Sequence, residues 1–174
     1  SPARFDMKKL EAINGDKIRA LTLDDFLTRT LPFLTKAGVI TGTDAEIALV
    51  KKALPIIQER IVKLDETPGL LNFLFVKDFA IDPEAVGKIS DDASKDVLKR
   101  SITVLEDLSP WNHTSIEAAL RAALVEDMGL KPRVAFTALR IATTGSTISP
   151  PLFESMELLG QSACISRINH ALTL

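Results

Sequence analysis

An all-α protein of two helical groups is the fold class that this sequence predicts, on three observations. Capping residues and glycine or proline stops recur along the chain at helical lengths. Apolar residues between them repeat every three to four positions. Alternating strand-like segments, and the hairpin dipeptides that would join them, are missing.

The elements follow in order. Asp6 is placed to cap a short helix that ends near Asn14-Gly15, with the glycine as a left-handed stop. Thr22 precedes LDDFLTRTLPFLTKAG, with acidic residues in the first turn and Gly38 past the end. Its apolar positions Leu23, Phe26, Leu27, Leu31 and Leu34 keep helical spacing, and Pro32 implies a kink. Thr43 with Glu46 reads as a capping box opening a helix with Ile47, Val50, Leu54, Ile57 and Ile61 on one face. Pro55 is a second kink or break in it. Asp82-Pro83, Ser109-Pro110 and Ser149-Pro150 each place a capping residue before a proline at the first helical position. Thr114 with Glu117 reads as another capping box, stopped at Gly129. Pro132 begins a run that Gly145 ends. The stretch FVKDFAIDPEAVGK separates two groups of similar size, so a boundary is expected near residues 80–86, giving domains 1–85 and 86–174.

Composition bounds the function classes. The chain has 174 residues and is 46% hydrophobic, enough for a core in one domain or two small ones. A formal charge of −2 gives no global basic field toward nucleic acid or membrane, so any polyanion must meet a local patch. No apolar run approaches the roughly 20 residues of a membrane span. The single cysteine, Cys164, sits in an apolar helical stretch and reads as a buried, inert thiol. His113 and His170 lack ligand spacing, so no metal site is expected. A reducing, cytoplasmic setting fits these features. A start at Ser1-Pro2 without Met is read as a processed or excised piece.

Catalytic motifs are missing. There is no phosphate-binding Gly-rich loop, no nucleophile elbow and no His-Glu-x-x-His pattern. Asp24-Asp25 and Asp91-Asp92 fall in first turns of helices, as dipole partners, and no acid–base pair is nominated. What stands out is basic residues beside unusual segments: Arg60 after the second long helix, Lys131 and Arg133 around Pro132, and Arg140 just before IATTGSTISPP. They are either solvated cations or a small cationic surface next to a stiff, hydroxyl-rich loop, able to hold unstacked nucleotides.

The opening SPARFDMKKLEAINGDKIRAL resembles the stretch that follows the catalytic domain in bacterial glutamyl-tRNA synthetases. The fit covers Ser1, Pro2, Ala3, Phe5, Asp6, Lys9, Leu10, Asn14, Ile18 and Arg19. PGLLNFLF, the segment PWNHTSIEAALRAALVEDMGLKPRVAFTALR and SPPLFESMELLG are similar to the same family, in the same order, over essentially the whole chain. The resemblance implies two all-helical subdomains caging the tRNA anticodon, the first with a stem-contact-like start. The family's His-Ile-Gly-His-like and Lys-Met-Ser-Lys-Ser-like motifs do not occur here. The resemblance therefore implies that the catalytic domain, with its ATP and Mg²⁺, lies upstream of Ser1, that this chain holds no cofactor and no catalytic residue, and that it is inactive alone.

The resemblance also implies site residues. Ser149, Pro150 and Leu152 match positions that contact the first anticodon base, Arg140 matches an arginine beside the anticodon loop, and Arg60 one that reads the third base. Ser149 stands where some relatives have Thr, and Pro151 where some have Gly, which stiffens the loop and removes a backbone donor. On this reading Leu152 packs on a base face, and Ser149 caps the following helix, with base contact in addition. Third-position C, in glutamate anticodons, offers two acceptors to a guanidinium fork, whereas G of glutamine anticodons presents donors. The implied partners are glutamate tRNA and the synthetase's own catalytic domain, with no membrane, in a cytoplasmic monomer. Two rivals stand beside this reading: a freestanding helical protein-interaction module, expected to expose an apolar patch, and a small helical enzyme.

Overall fold

Short polar side chains start most of the helices in the computed structural model, which describes residues 6–174. Ten α-helices and no strand occur among the described residues. Ser1, Pro2, Ala3 and Phe5, part of the resemblance above, lie outside them. The chain divides into two compact units, one ending at Phe75 and the other Val76–Leu174.

In the first unit, Asp6 caps α1 (Met7–Arg19) by accepting from the Lys9 N–H. The expected stop at Gly15 is not used: the helix runs on to Arg19 and Gly15 is buried inside it. A Cβ there would come within 3.1 Å of Val62 Cγ1, so the glycine admits Val62 against the helix backbone. Thr22 caps α2 (Leu23–Lys36), which continues through Pro32. The Thr43–Glu46 capping box opens α3 (Asp44–Gln58), which likewise continues through Pro55. Gln58 donates to the carbonyls of Ile18 (2.9 Å) and Leu21 (3.0 Å), tying the end of α3 to the last turn of α1 and the residues after it. α4 (Thr67–Leu71) and two single 3₁₀ turns complete the unit. α2 packs on α3 and α4, with Phe26, Leu34, Val50, Leu54, Ile57, Ile61 and Leu71 fully buried.

The second unit begins before the boundary expected at 85/86, and the reason is packing. Ile81 and Ala85 belong to its core, and the Asp82 N–H donates to the Gly145 carbonyl at 2.8 Å. Asp82 caps the short α5 (Pro83–Val86), and Asp91 caps α6 (Asp92–Leu105). Asn112, and neither Ser109 nor Thr114, caps α7 (His113–Leu120), accepting from the Ser115 N–H at 2.9 Å. The helix expected to run to Gly129 passes into π geometry over Arg121–Asp127. α8 (Pro132–Thr144) ends at left-handed Gly145, as its sequence predicts. α9 (Leu152–Leu159) and α10 (Gln161–Leu172) close the chain. α10 packs on α6, α8 and α9, and α7 packs on α9. Leu98, Leu105, Ile116, Leu120, Leu124, Leu139, Met156 and Ile168 are fully buried between them.

Candidate nucleic-acid interface

The loop from Gly145 to Pro151 is built from the end of α8 outward. The last turn of α8 carries threonines that bond back to the helix, Thr143 Oγ1 to the Leu139 carbonyl and Thr144 Oγ1 to the Arg140 carbonyl, each at 2.8 Å. Gly145 then turns left-handed at φ 80°, where a side chain is strained. A Cβ on it would also lie 2.8 Å from the Ala80 carbonyl oxygen. Beneath this end, Arg167 donates to the Thr143 carbonyl at 2.8 Å and lies 4.0 Å over the Phe79 ring. A cation there suits the negative end of α8. Burial pushes the Arg167 pKa down, against a smaller opposing effect from Cys164. The Cys164 thiol, on the same buried stripe, is pushed up to about 12 by burial, as befits an inert core cysteine.

Beyond Gly145 the loop holds itself. Ser146 Oγ accepts from the Ile148 N–H at 3.2 Å. Half-buried Arg140 reaches up from α8 and donates to Ser149 Oγ, and to the Pro150 carbonyl at 2.8 Å. Ser149 Oγ in turn donates to the Pro150 carbonyl at 2.9 Å. Ser149 is thus not the cap of α9. Pro151 follows Pro150, and a residue before proline is driven out of helical geometry, so the helix cannot start at Pro150. It starts at Leu152, with Pro151 as its N-cap and no side-chain cap. Pro150 is buried.

The structure therefore gathers Arg140, Ser149 and Pro150 into one braced turn. It does not put Leu152 on the surface beside them: Leu152 is 5% exposed and belongs to the core of the second unit. Ile148 takes the exposed place instead, at 76%. Its signal in the sequence is a lone aliphatic residue between Thr147 and Ser149. Arg167 was legible too, since it shares helical spacing with the apolar Cys164, Ile168 and Ala171. Lys131 and Arg133 are exposed at the opposite end of α8, on the order of 10 Å of helix away from Arg140, so they add no charge to the turn itself.

Arg60 belongs to the first unit. It follows α3, its N–H donates to the Ile57 carbonyl at 2.9 Å, and its side chain is exposed with no ion pair among the described residues. Among the described residues no group of three or more His, Cys, Asp or Glu is arranged to hold a metal. No helix among them is long and apolar enough to cross a membrane. His113 pairs with Glu157 at 2.6 Å on the surface.

A family model described as the anticodon binding domain matches residues 25–172. The chain is 44% identical to a glutamate–tRNA ligase of Saccharopolyspora erythraea over 97% of its own length and 34% of the relative's. It is 47% identical to that of Leifsonia xyli, again over 97% of its own length and 35% of the relative's. The chain thus spans about a third of the length of these curated relatives. A solved glutamate tRNA ligase from Elizabethkingia meningosepticum, in complex with its amino acid, has the same fold. The TM-score is 0.79 at 20% identity, over 99% of this chain and 33% of that one.

Proposed function

The chain belongs to the anticodon-binding domain family of glutamate–tRNA ligases, and from that premise we propose that it reads the anticodon of glutamate tRNA for a full-length ligase. The observation that carries this reading is the Arg140-braced turn, a rigid polar loop within the matched residues. An anticodon is single-stranded and its bases are free to be read at their pairing edges. A turn fixed by two prolines loses little entropy on meeting a base. Ser149, Pro150 and the Arg140 brace serve the first anticodon base, and exposed Arg60 serves the third, where its fork donates to O2 and N3 of cytosine. Each helical unit carries residues of this reading, Arg60 in the first and Arg140, Ser149 and Pro150 in the second. The ligase joins glutamate to tRNA with ATP and Mg²⁺ bound outside this chain, so this chain alone has no charging activity. It works in the cytoplasm as a monomer.

One observation favours a protein contact as well. α1 exposes Met7 at 52% and Leu10 and Ile13 at 45% each. In the full-length ligase this face serves as a seat for the enzyme's own catalytic part.

The test uses the full-length ligase and two glutamate tRNAs that differ only in C or G at the third anticodon position. Wild-type enzyme charges the C form better; equal charging would remove the reading of the third base, and equal charging of a tRNA with all three anticodon bases replaced would remove the anticodon reading itself. Arg60→Gln keeps length and hydrogen-bonding capacity but loses the charge and the fork. It lowers charging of the C form and relaxes the preference by about 1–3 kcal/mol, the size of a bidentate base contact. A parallel loss for both tRNAs would make Arg60 a phosphate contact, and an unchanged ratio would end its role in sequence reading.

A further inference from the structure

We infer that Arg167, on α10, is a positioning residue for the anticodon turn, fixing the foot from which residues 145–151 rise; this rests on the anticodon reading above. Arg167 is only 8% exposed, on a helix whose Cys164, Ile168 and Ala171 are also buried. A charged side chain is almost never buried so far unless partners hold it, and a well-packed apolar residue is often as good for stability. What an arginine adds is directed contacts. One guanidinium N–H donates to the Thr143 carbonyl at 2.8 Å. That carbonyl is among the last four of α8, which a helix leaves without partners of its own. The guanidinium also lies 4.0 Å over the Phe79 ring, in cation–π range.

Phe79 brings the segment that opens the second unit to the same spot. Its ring meets His170 edge-on, 6.3 Å between centroids. The Ala80 carbonyl, next along, approaches Gly145 so closely that a Cβ on the glycine would lie 2.8 Å from it. Two residues further, the Asp82 N–H holds the Gly145 carbonyl. Thr143 and Gly145, on either side of the last residue of α8, are thus both fixed from outside the helix before any ligand arrives. Arg140 braces the far end of the turn at Ser149 and Pro150. The orientation of the turn therefore depends on two arginines, one at each end. Without Arg167 the far brace persists, but the Thr143 carbonyl and the Phe79 ring lose the group that joins them. A reading site whose support is loosened keeps its residues and loses selectivity.

The test uses the full-length ligase and two pairs of glutamate tRNAs. One pair differs only at the first anticodon base, pyrimidine or purine, and the other only at the third, C or G. The ratio of kcat/KM within each pair is measured, because a smaller fraction of folded enzyme cancels from a ratio. Arg167→Met fills similar space without charge or donor. It lowers the first-base ratio about fivefold, in the range that one intramolecular hydrogen bond is worth. The third-base ratio, which rests on Arg60 in the other unit, stays unchanged. Arg167→Lys keeps a donor for the Thr143 carbonyl and recovers part of the first-base ratio. An unchanged first-base ratio with Arg167→Met, an equal fall in both ratios, or no recovery with Arg167→Lys would overturn the role of Arg167 and leave the anticodon reading standing. Wild-type ligase with a third-base preference but no first-base preference would do the same. Wild-type ligase that charges a tRNA with all three anticodon bases replaced as well as the natural one would remove the anticodon reading itself, and the inference with it.

Discussion

Leu152 and Ile148 lie four residues apart in the same turn region and take opposite positions, one in the core and one in water. A linear sequence gives both as aliphatic residues near two prolines. What separates them is the backbone path: the diproline delays α9 until Leu152, whose side chain then points inward with Ser155 and Met156. Leu152→Ala should therefore act on folding. Removing a buried leucine costs about 2–5 kcal/mol, transfer and cavity terms together. Thermal melts should show a clear fall in Tm, while the RNA affinity of the protein still folded stays unchanged. Weakened RNA binding at an unchanged Tm would mean that Leu152 meets the ligand after all. Arg140 teaches the same lesson at one residue's scale. Its charge and its place late in α8 were legible; its use as a brace was not, because the turn it holds exists only once the chain has folded.

Elements whose ends are set by local chemistry were legible, and those whose ends are set by packing were not. α2 begins and ends as its cap and glycine predict, because a capping side chain acts on N–H groups two or three residues away; α3 begins at its predicted cap but stops at Gln58, short of the Ile61 expected on its face, and α8 runs from Pro132 to Gly145 as predicted without a side-chain cap. α1 outran Gly15 because Val62, far along the chain, approaches there. The start of α7 at Asn112 in place of Thr114 reflects two competing caps, of which the earlier won. The capping box of α3 makes a measurable prediction. Glu46 Oε2 accepts from the N–H groups of Thr41, Gly42 and Thr43 and from two threonine hydroxyls. These bonds, the Thr43 N–H foremost, lower the Glu46 pKa to about 2. A depressed carboxylate stabilises the folded state above its unfolded pKa of about 4.5 and loses that contribution as pH falls through about 2. Asp91, through the Ser94 N–H, and Glu157, through the His113 N–H, shift in the same direction. The stability gap between wild type and Glu46→Ala, measured by urea melts, should be constant near neutrality and close between pH 5 and pH 2. A gap that persists at pH 2 would show that the box holds through something other than the ionised carboxylate.

On the scale of the whole molecule, composition and periodicity yield two helical groups and no chemistry; the function became legible only through order and spacing of residues shared with a family. The division between the groups was legible as a region of weak helix signal, and its place turned on tertiary contacts. Phe79 lies under Arg167, Ile81 is in the core of the second unit, and Asp82 bonds to Gly145. Residues after Val76 thus belong with the later helices, and exposed Lys77 sits outside any helix at the junction. Lys88 is exposed as well, but it follows α5 between buried Ala85 and Ile89, and its N–H is bonded to the Ala85 carbonyl at 3.0 Å. Local opening, which proteolysis needs, is favoured where backbone bonds and buried contacts are few. Limited trypsin digestion should therefore cut first after Lys77. Mass spectrometry should find a piece beginning at Asp78, and circular dichroism should show it to be helical with a cooperative melt, because it keeps Phe79, Ile81 and Ala85. A piece beginning at Ile89 lacks all three and should melt at lower temperature. First cleavage after Lys88, with the Ile89 piece equally stable, would move the boundary back toward residue 86 and make the packing of Ile81 and Ala85 incidental to the second unit.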